Sequence, residues 1–164
     1  EAFASFELNA SKSRCILSLP SSFLFLSGGA TIAQEVVVQL SSFLKEIRDR
    51  YELEGDAIRV DGHTDDVPLS KKGKYKNNWE LSTVRATNVA ALMMEKVGFN
   101  PERIAISGYA DTRPKASYVS ENGNRKSGGE LRKARKANRR VELIFTRPTK
   151  KERTRKFFPE PNAG

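Results

Sequence analysis

The sequence contains few of the residues on which disulfide, metal or redox chemistry usually depends. Its 164 residues include one cysteine and one histidine. Cys15 has no partner for an internal disulfide, and it lies in a predicted strand where a small buried side chain is its expected role. A reactive thiol would need a lowered pKa or a second thiol nearby, and the sequence indicates neither.

Long hydrophobic segments are also absent. No apolar run approaches the ~18 residues that cross a membrane as a helix, and the aromatic-rich run at residues 23–26 is far shorter. The chain begins without methionine and shows no signal-peptide pattern, so we expect a fragment or a processed form. If the chain belongs to a membrane protein, we expect its anchor upstream of Glu1.

The charged residues are unevenly distributed. The net charge is +9, yet residues 1–112 carry 13 lysines and arginines against 15 aspartates and glutamates. Residues 113–164 carry 16 against 5 and therefore contain the whole excess. Such a basic segment suits a nucleic acid, an anionic membrane surface or an anionic wall polymer as its partner. A solvated loop and tail without a partner is the alternative interpretation.

The first half of the chain predicts two strands and a long helix between them. Residues 14–19 have the length of a short strand, which Pro20 ends. Thr31 is a favourable N-cap, and the apolar spacing that follows predicts an amphipathic helix to about Arg50. A second strand follows over residues 57–61.

The second half predicts the same kind of alternation. Asn78 is the expected N-cap of a second long helix, which Gly98 ends as the residue after its last turn. Residues 103–107 predict a third strand, and a short basic helix follows at 130–137. Residues 138–142 then enter a last strand, in which Val141, Leu143 and Phe145 alternate inward. This order predicts an α/β (α+β) two-layer sandwich, with helices on one face of a four-stranded mixed sheet.

The composition indicates one globular domain with additions. Hydrophobic residues make up 38% of the chain and charged residues 30%, which suits a single core. We interpret residues 1–13 as a lead-in and 14–147 as the domain. Residues 115–137 are a polar, basic insertion, flexible over its glycine-rich part, and residues 148–164 are a disordered basic tail.

An aspartate and an arginine occupy positions suited to a ligand that carries both charges. Asp65 follows the second strand, and Arg85 lies in the early turns of the next helix. The carboxylate of Asp65 would hold an amine, and the planar guanidinium of Arg85 would hold a carboxylate through two hydrogen bonds. Alternatively, Arg85 is an ordinary helix arginine paired with Glu80 or Asp65.

A metal site and an enzyme active site are both poorly supported. His63, Asp65 and Asp66 are adjacent, but zinc needs three or four converging ligands and the chain has no second histidine. Adjacent aspartates in an extended chain point to different sides, so they do not form an acid–base pair. We expect no cofactor, no metal and no catalysis, and we expect His63 to be a structural hydrogen-bonding residue.

Three motifs, in the same order as in a known family, carry a resemblance over residues 14–147. They resemble the signature of the OmpA-like peptidoglycan-binding domain. The segment at residues 63–68, with residues 78–82, is most similar to the MotB family of flagellar stator proteins. The motifs are Gly62-His63-Thr64-Asp65, Asn78-x-x-Leu81-Ser82-x-x-Arg85-Ala86 and Asn138-Arg139-Arg140-Val141-Glu142.

The resemblance implies a ligand and a set of binding residues. In that family the aspartate and the arginine bind the zwitterionic end of diaminopimelate in the stem peptide of the cell wall. Asp65 and Arg85 occupy the matching positions. The further residues that the resemblance places at or beside the pocket are Asn78, Thr64, Leu81 and Arg139.

The resemblance also implies a function and partners. We expect a non-catalytic peptidoglycan-binding module that anchors a membrane protein, namely a MotB-like stator subunit with a MotA-like channel partner. The domain would face the periplasm below an inner-membrane anchor and would form a homodimer. The alternative is a basic protein that binds nucleic acid or another polyanion through residues 113–156. Few aromatic residues and no nucleic-acid motif accompany that segment, so we expect no nucleic acid as a partner.

Overall fold

A computed structural model describes residues 7–10 and 14–148 of the chain. Its strands are β1 (Glu7–Ala10), β2 (Arg14–Pro20), β3 (Ala57–His63), β4 (Ile104–Gly108) and β5 (Arg140–Thr146). Its helices are α1 (Ser21–Leu24), α2 (Gln34–Tyr51), α3 (Asn78–Leu92) and α4 (Gly128–Asn138). A π-helical turn, Met93–Val97, extends α3 to Gly98, whose φ of 85° confirms its predicted place after the last turn.

The strands form one mixed sheet in the order β1-β2-β5-β3-β4. Only the β3–β4 pair is parallel among the described strands, and α3 connects these two strands. The predicted fold class is confirmed, and the four predicted strands correspond to β2 to β5. β1 adds a fifth strand within residues 1–13, which the sequence predicts to be a lead-in. Its four residues are too short a segment for hydrophobic alternation to mark it.

Helices α2 and α3 pack on one face of the sheet and enclose the core. In β2, β3 and β5 the core residues alternate with residues on the opposite face, most of which are polar, as expected for a sheet covered on one side. Cys15 belongs to this core, and burial raises the pKa of its thiol, as does the negative charge of Asp56. The fully buried core side chains include Leu17, Leu19, Leu40, Leu44, Val60, Val89, Met93, Val141, Leu143 and Phe145.

The starts of both long helices differ from the prediction. Helix α2 begins at Gln34 after Ala33, which makes no side-chain cap, so Thr31 is not its N-cap. The N-cap of α3 is Asn77 rather than Asn78, because the Oδ1 of Asn77 accepts a hydrogen bond from the N–H of Glu80 at 3.0 Å. Two successive asparagines are equally good caps by residue type, so the sequence alone does not choose between them.

Two glycines let α3 approach the parallel strands closely. Gly62 and Gly108 are register neighbours on β3 and β4. A Cβ atom on Gly62 would lie 2.0 Å from the carbonyl oxygen of Ser82, and one on Gly108 would lie 2.1 Å from Oγ1 of Thr83. The expected crowding at Gly62 is therefore confirmed. This contact sets the distance between the end of β3 and the first turns of α3.

The segment before α4 contains a hydrogen-bonded turn and is bonded to α4. The carbonyl of Tyr118 accepts a hydrogen bond from the N–H of Lys126 at 2.8 Å, and Ser120 and Asn124 are hydrogen-bonded within this turn. The side chain of Asn138 bonds both the N–H and the carbonyl of Ala116, at 2.7 and 2.8 Å. The flexibility of this segment stays a prediction, while the buried amide of Asn138 ties its beginning to α4.

Two further sequence expectations concern the ends of the chain and membrane spans. Residues 149–164, which contain nearly all of the predicted tail, lie outside the described residues. No helix in the described part of the chain combines the length and the apolar character that a bilayer crossing requires.

Candidate functional site

Asp65 lies just beyond the C-terminal end of β3. Its Oδ1 accepts a hydrogen bond from the N–H of Val67 at 3.0 Å, and its Oδ2 accepts one from Nη1 of Arg139 at 2.5 Å. The preceding residue, Thr64, donates its N–H to the carbonyl of Ala110 at 2.8 Å. These bonds fix the aspartate, which is only 8% exposed, at the end of two parallel strands. The carboxyl ends of such strands are a common position for ligands.

Arg85 lies on α3 and is 6% exposed. Its Nε donates a hydrogen bond to the carbonyl of Gly29 at 2.9 Å, and its guanidinium carbon lies 5.1 Å from the centre of the Phe25 ring. Among the described residues, its two terminal amino groups have no hydrogen-bond partner. A guanidinium carries several N–H donors in a planar fork, so this side chain is held at its inner nitrogen and retains the fork for another molecule.

The electrostatic environment of Arg85 favours an anion. Burial is the main cause that lowers the pKa of Arg85, and the positive charge of Arg139 lowers it further, whereas Tyr75 and Asp65 act in the opposite direction. The alternative pairing of Arg85 with Glu80 or Asp65 is not found among the described ion pairs. Glu80 instead accepts the backbone N–H of Lys76. A bound carboxylate would compensate Arg85 for the hydration that it loses on burial.

Arg139 completes the site through its ion pair with Asp65. It is the residue that ends α4, and its side chain is 38% exposed while it pairs with Asp65. Each oxygen of the Asp65 carboxylate accepts one described hydrogen bond, although a carboxylate oxygen can accept two. A ligand amine could therefore bind beside Arg139 or take its place.

Asp66 attaches the same loop to the basic segment. Its Oδ1 accepts a hydrogen bond from Nε of Arg135 at 2.7 Å, and its Oδ2 pairs with Arg125. These hydrogen bonds, that of Arg135 above all, lower the pKa of Asp66. Asp65 and Asp66 thus bond to different arginines, as expected for adjacent residues of an extended chain. Together they connect the end of β3 to α4.

The remaining predicted residues stabilise the loop around the site. Nδ2 of Asn78 donates to the carbonyl of Val67 at 3.0 Å and more weakly to that of Asp65 at 3.4 Å. The hydroxyl of Thr64 donates locally to the carbonyl of Asp65 at 3.0 Å. Leu81 is buried in a small apolar cluster with Ala30 and Tyr75. All six predicted residues therefore lie in or around one region, although Leu81 makes only apolar contacts.

His63 lies on the face of the sheet opposite the core. Its ring stacks on Tyr109 with centroids 5.4 Å apart, and neither ring nitrogen has a hydrogen bond among the described residues. The expected hydrogen-bonding role is therefore wrong. Burial lowers the pKa of His63 to about 4, with help from the nearby charge of Arg140, while Glu142 opposes the shift. No group of three or more possible metal ligands occurs within the described residues.

Sequence reasoning missed the residues that orient Arg85. The turn that supplies Gly29 is fixed to α3 a second time, because Nδ2 of Asn88 donates to the carbonyl of Ala30 at 2.7 Å. Phe25 supports the guanidinium from one side. The Ser-Gly-Gly-Ala turn is visible in the sequence, but its contact with a helix 56 residues further on is not.

Comparison with known proteins places the chain in a family. The OmpA family model matches residues 24–128. The chain is 30% identical over 131 residues to Motility protein B of Bacillus subtilis, covering 79% of this chain and 44% of that protein. The chain thus spans about half the length of the curated relatives that it matches.

Solved structures with the same fold include domains from two further bacteria. The periplasmic domain of Helicobacter pylori MotB (residues 78–256) matches with a TM-score of 0.69 and 29% identity, covering 88% of this chain and 83% of that one. The cell wall anchor of the T6SS from Pseudomonas aeruginosa matches with a TM-score of 0.71 and 25% identity, covering 89% and 90%. The chain therefore belongs to the OmpA family, is homologous to MotB, and has the fold of MotB periplasmic domains.

Proposed function

We propose that this domain binds peptidoglycan and anchors a larger membrane protein to the cell wall, without catalysing a reaction. Its ligand is the zwitterionic end of diaminopimelate in the stem peptide. Asp65 binds the ammonium group and Arg85 binds the adjacent carboxylate. The similarity to a cell wall anchor and to a MotB periplasmic domain supports this assignment.

The observation that carries the proposal is the environment of Arg85. Arg85 is only 6% exposed, so its guanidinium loses most of its hydration, and burying such a charge is costly unless it is paired and hydrogen-bonded. Only its Nε has a described partner. The free fork matches the geometry of a carboxylate, which accepts two parallel N–H bonds.

Asp65 supplies the complementary half of the site. Its carboxylate keeps acceptor capacity after bonding to Val67 and Arg139. A ligand that places its ammonium group on Asp65 and its carboxylate on Arg85 must carry both groups close together, as an amino acid does.

The other residues shape this pocket. Asn78 closes the loop over Asp65, and its side-chain oxygen has no hydrogen bond among the described residues, so it is available to a ligand amine. Thr64 holds the backbone of Asp65 in place. Leu81 supports the loop through its apolar contact with Tyr75.

The role of the whole protein follows from its relatives. Because the homologue is a motility protein and the similar domain from Helicobacter pylori is periplasmic, we place this domain in the periplasm as part of a membrane-anchored, MotB-like stator subunit. A homodimer with a MotA-like channel subunit is the corresponding assembly.

Binding to purified sacculi tests the proposed contacts. Each charge-assisted hydrogen bond contributes about 1.5–3 kcal/mol, so Asp65→Asn and Arg85→Ala should each weaken binding by roughly 10- to 150-fold. Arg85→Lys should lose most of this affinity as well, because an ammonium cannot form the two parallel bonds. Stem peptides that contain diaminopimelate should compete, and peptides with lysine in its place should compete poorly.

Matched variants on α2 provide the control. Asp49→Asn and Arg50→Lys make the same chemical changes at exposed residues and should leave the affinity unchanged. Circular dichroism checks that every variant is folded. Unchanged binding by folded Asp65→Asn and Arg85→Lys would refute the proposed site.

A further inference from the structure

The exposed side of α4 and the turn before it form a basic surface next to the proposed peptidoglycan site. We define the α4 basic face as Lys126, Arg132, Lys133 and Lys136. None of these residues has a carboxylate partner within the part of the chain that the structure describes. The nearby Arg135 of α4 differs, because it pairs with Asp66. The face therefore presents uncompensated positive charge to solvent.

The α4 basic face is not required by the fold. The inward side of α4 consists of Ala134 and Asn138, which are buried, and the basic residues point away from them. Like charges three or four residues apart, such as Arg132 and Lys136, destabilise an isolated helix by about 0.2–0.5 kcal/mol per pair. The only carboxylate on α4 is Glu130, so the helix supplies one negative charge against the three basic residues that it contributes to this face.

The position of the face connects it to the proposed site. Arg132 and Arg135 lie three residues apart on one side of α4, and Arg139 directly follows the last residue of the helix, so the three arginines form a stripe. This stripe leads from the exposed first turns of the helix to Arg139, which contacts Asp65. A ligand lying along it would reach the peptidoglycan site without leaving the surface of the domain.

We propose that the α4 basic face binds a phosphodiester-linked anionic polymer attached to the cell wall, alongside the stem peptide bound at Asp65 and Arg85. The wall location rests on the proposed function, but the contacts do not involve Asp65 or Arg85. Regularly spaced phosphates suit separate lysines and arginines that act as point charges.

Two other anionic partners fit the surface less well. A helix that enters a membrane interface needs large apolar residues on its exposed side, whereas the exposed side of α4 is charged and Leu131 is partly buried. A protein that binds single-stranded nucleic acid stacks bases on aromatic side chains. The one aromatic residue in the adjoining turn, Tyr118, has its hydroxyl buried.

Sacculi with and without their phosphodiester polymers test the proposal. Hydrofluoric acid cleaves the phosphodiesters and leaves the peptidoglycan. At low salt the protein should bind untreated sacculi at least 10-fold more tightly than treated ones. For three phosphate contacts at ~0.7 counterions each, affinity for untreated sacculi should fall roughly 20-fold between about 50 and about 200 mM salt.

Two triple variants separate this surface from net charge. The variant R132Q/K133Q/K136Q should lose the preference for untreated sacculi and most of the salt dependence. The variant K71Q/K72Q/K74Q removes the same charge from the exposed loop before α3 and should retain both. Equal losses in the two variants would overturn the proposal, because they would show general charge attraction.

Further probes distinguish the other outcomes. Preferential binding of the wild-type protein to vesicles with anionic phospholipid, or to single-stranded DNA, over the untreated sacculi would also overturn the proposal. Arg85→Lys tests the peptidoglycan site independently, because it should weaken binding to treated sacculi while R132Q/K133Q/K136Q should not. Failure of one proposal therefore leaves the other measurable.

Discussion

Replacement of Gly62 by alanine tests how the close approach of α3 to β3 builds the site. The new Cβ would lie 2.0 Å from the carbonyl oxygen of Ser82 and 2.8 Å from its carbonyl carbon. An ordinary contact is about 3.5 Å, so the helix must move away by about 1.5 Å. Both atoms belong to the backbone, and no change of side-chain rotamer can relieve the clash.

The expected effects follow from this displacement. Overpacking of a core costs about 1–3 kcal/mol and sometimes more, and we expect about 3 kcal/mol for Gly62→Ala. For a domain of this size the midpoint of thermal unfolding should fall by roughly 10 °C. Because binding groups must be held within about 0.5 Å of their productive positions, movement of Arg85 away from Asp65 should also reduce sacculus binding at least 10-fold at temperatures where the variant is folded.

Thermal unfolding and sacculus binding measure the two effects. Gly55→Ala is the matched control, since no atom lies within 4 Å of the position that its methyl group would take, and its stability should change by less than about 0.5 kcal/mol. If Gly62→Ala unfolds within about 2 °C of the wild type and keeps its affinity, the contact between Gly62 and Ser82 does not set the geometry of the site.

Two further predictions concern pH and helix capping. The pKa of His63 is lowered to about 4, so the unfolded chain binds a proton that the folded chain does not between about pH 6.5 and 4. Stability should therefore fall by roughly 3 kcal/mol as the pH drops through this window, and His63→Phe, which keeps a ring against Tyr109, should lose this part of the slope in urea denaturation. Asn77→Ala removes the cap on the N–H of Glu80 and should lower the free energy of unfolding by about 1 kcal/mol, whereas Asn77→Asp should not. Equal stability of the wild type and both variants in urea denaturation would show that Asn77 is not the functional cap.

Much of the fold can be predicted from local patterns. Hydrophobic spacing predicts α2 and α3, and short alternating segments predict β2 to β5, because each pattern repeats with the period of its own secondary structure. β1 is too short to show such a period. The cap of α3 is ambiguous for a different reason, since Asn77 and Asn78 have the same chemistry and only the path of the preceding loop selects one.

The sequence by itself determined which residues are available for the site. Asp65 follows a strand and Arg85 follows a helix start, and their motifs identify the family before any contact is known. These properties depend on residues close together in the chain.

Only the tertiary structure decided how these residues are held. The carbonyl of Gly29 orients Arg85, and Arg139 pairs with Asp65 across 74 residues of sequence. The tertiary structure also separates the residues of the basic segment by role. Arg135 holds the binding loop through its ion pair with Asp66, whereas Arg132 is exposed. Composition records the same charge for both arginines. Their partners depend on which surfaces folding brings together, and that is set by the packing of the whole chain.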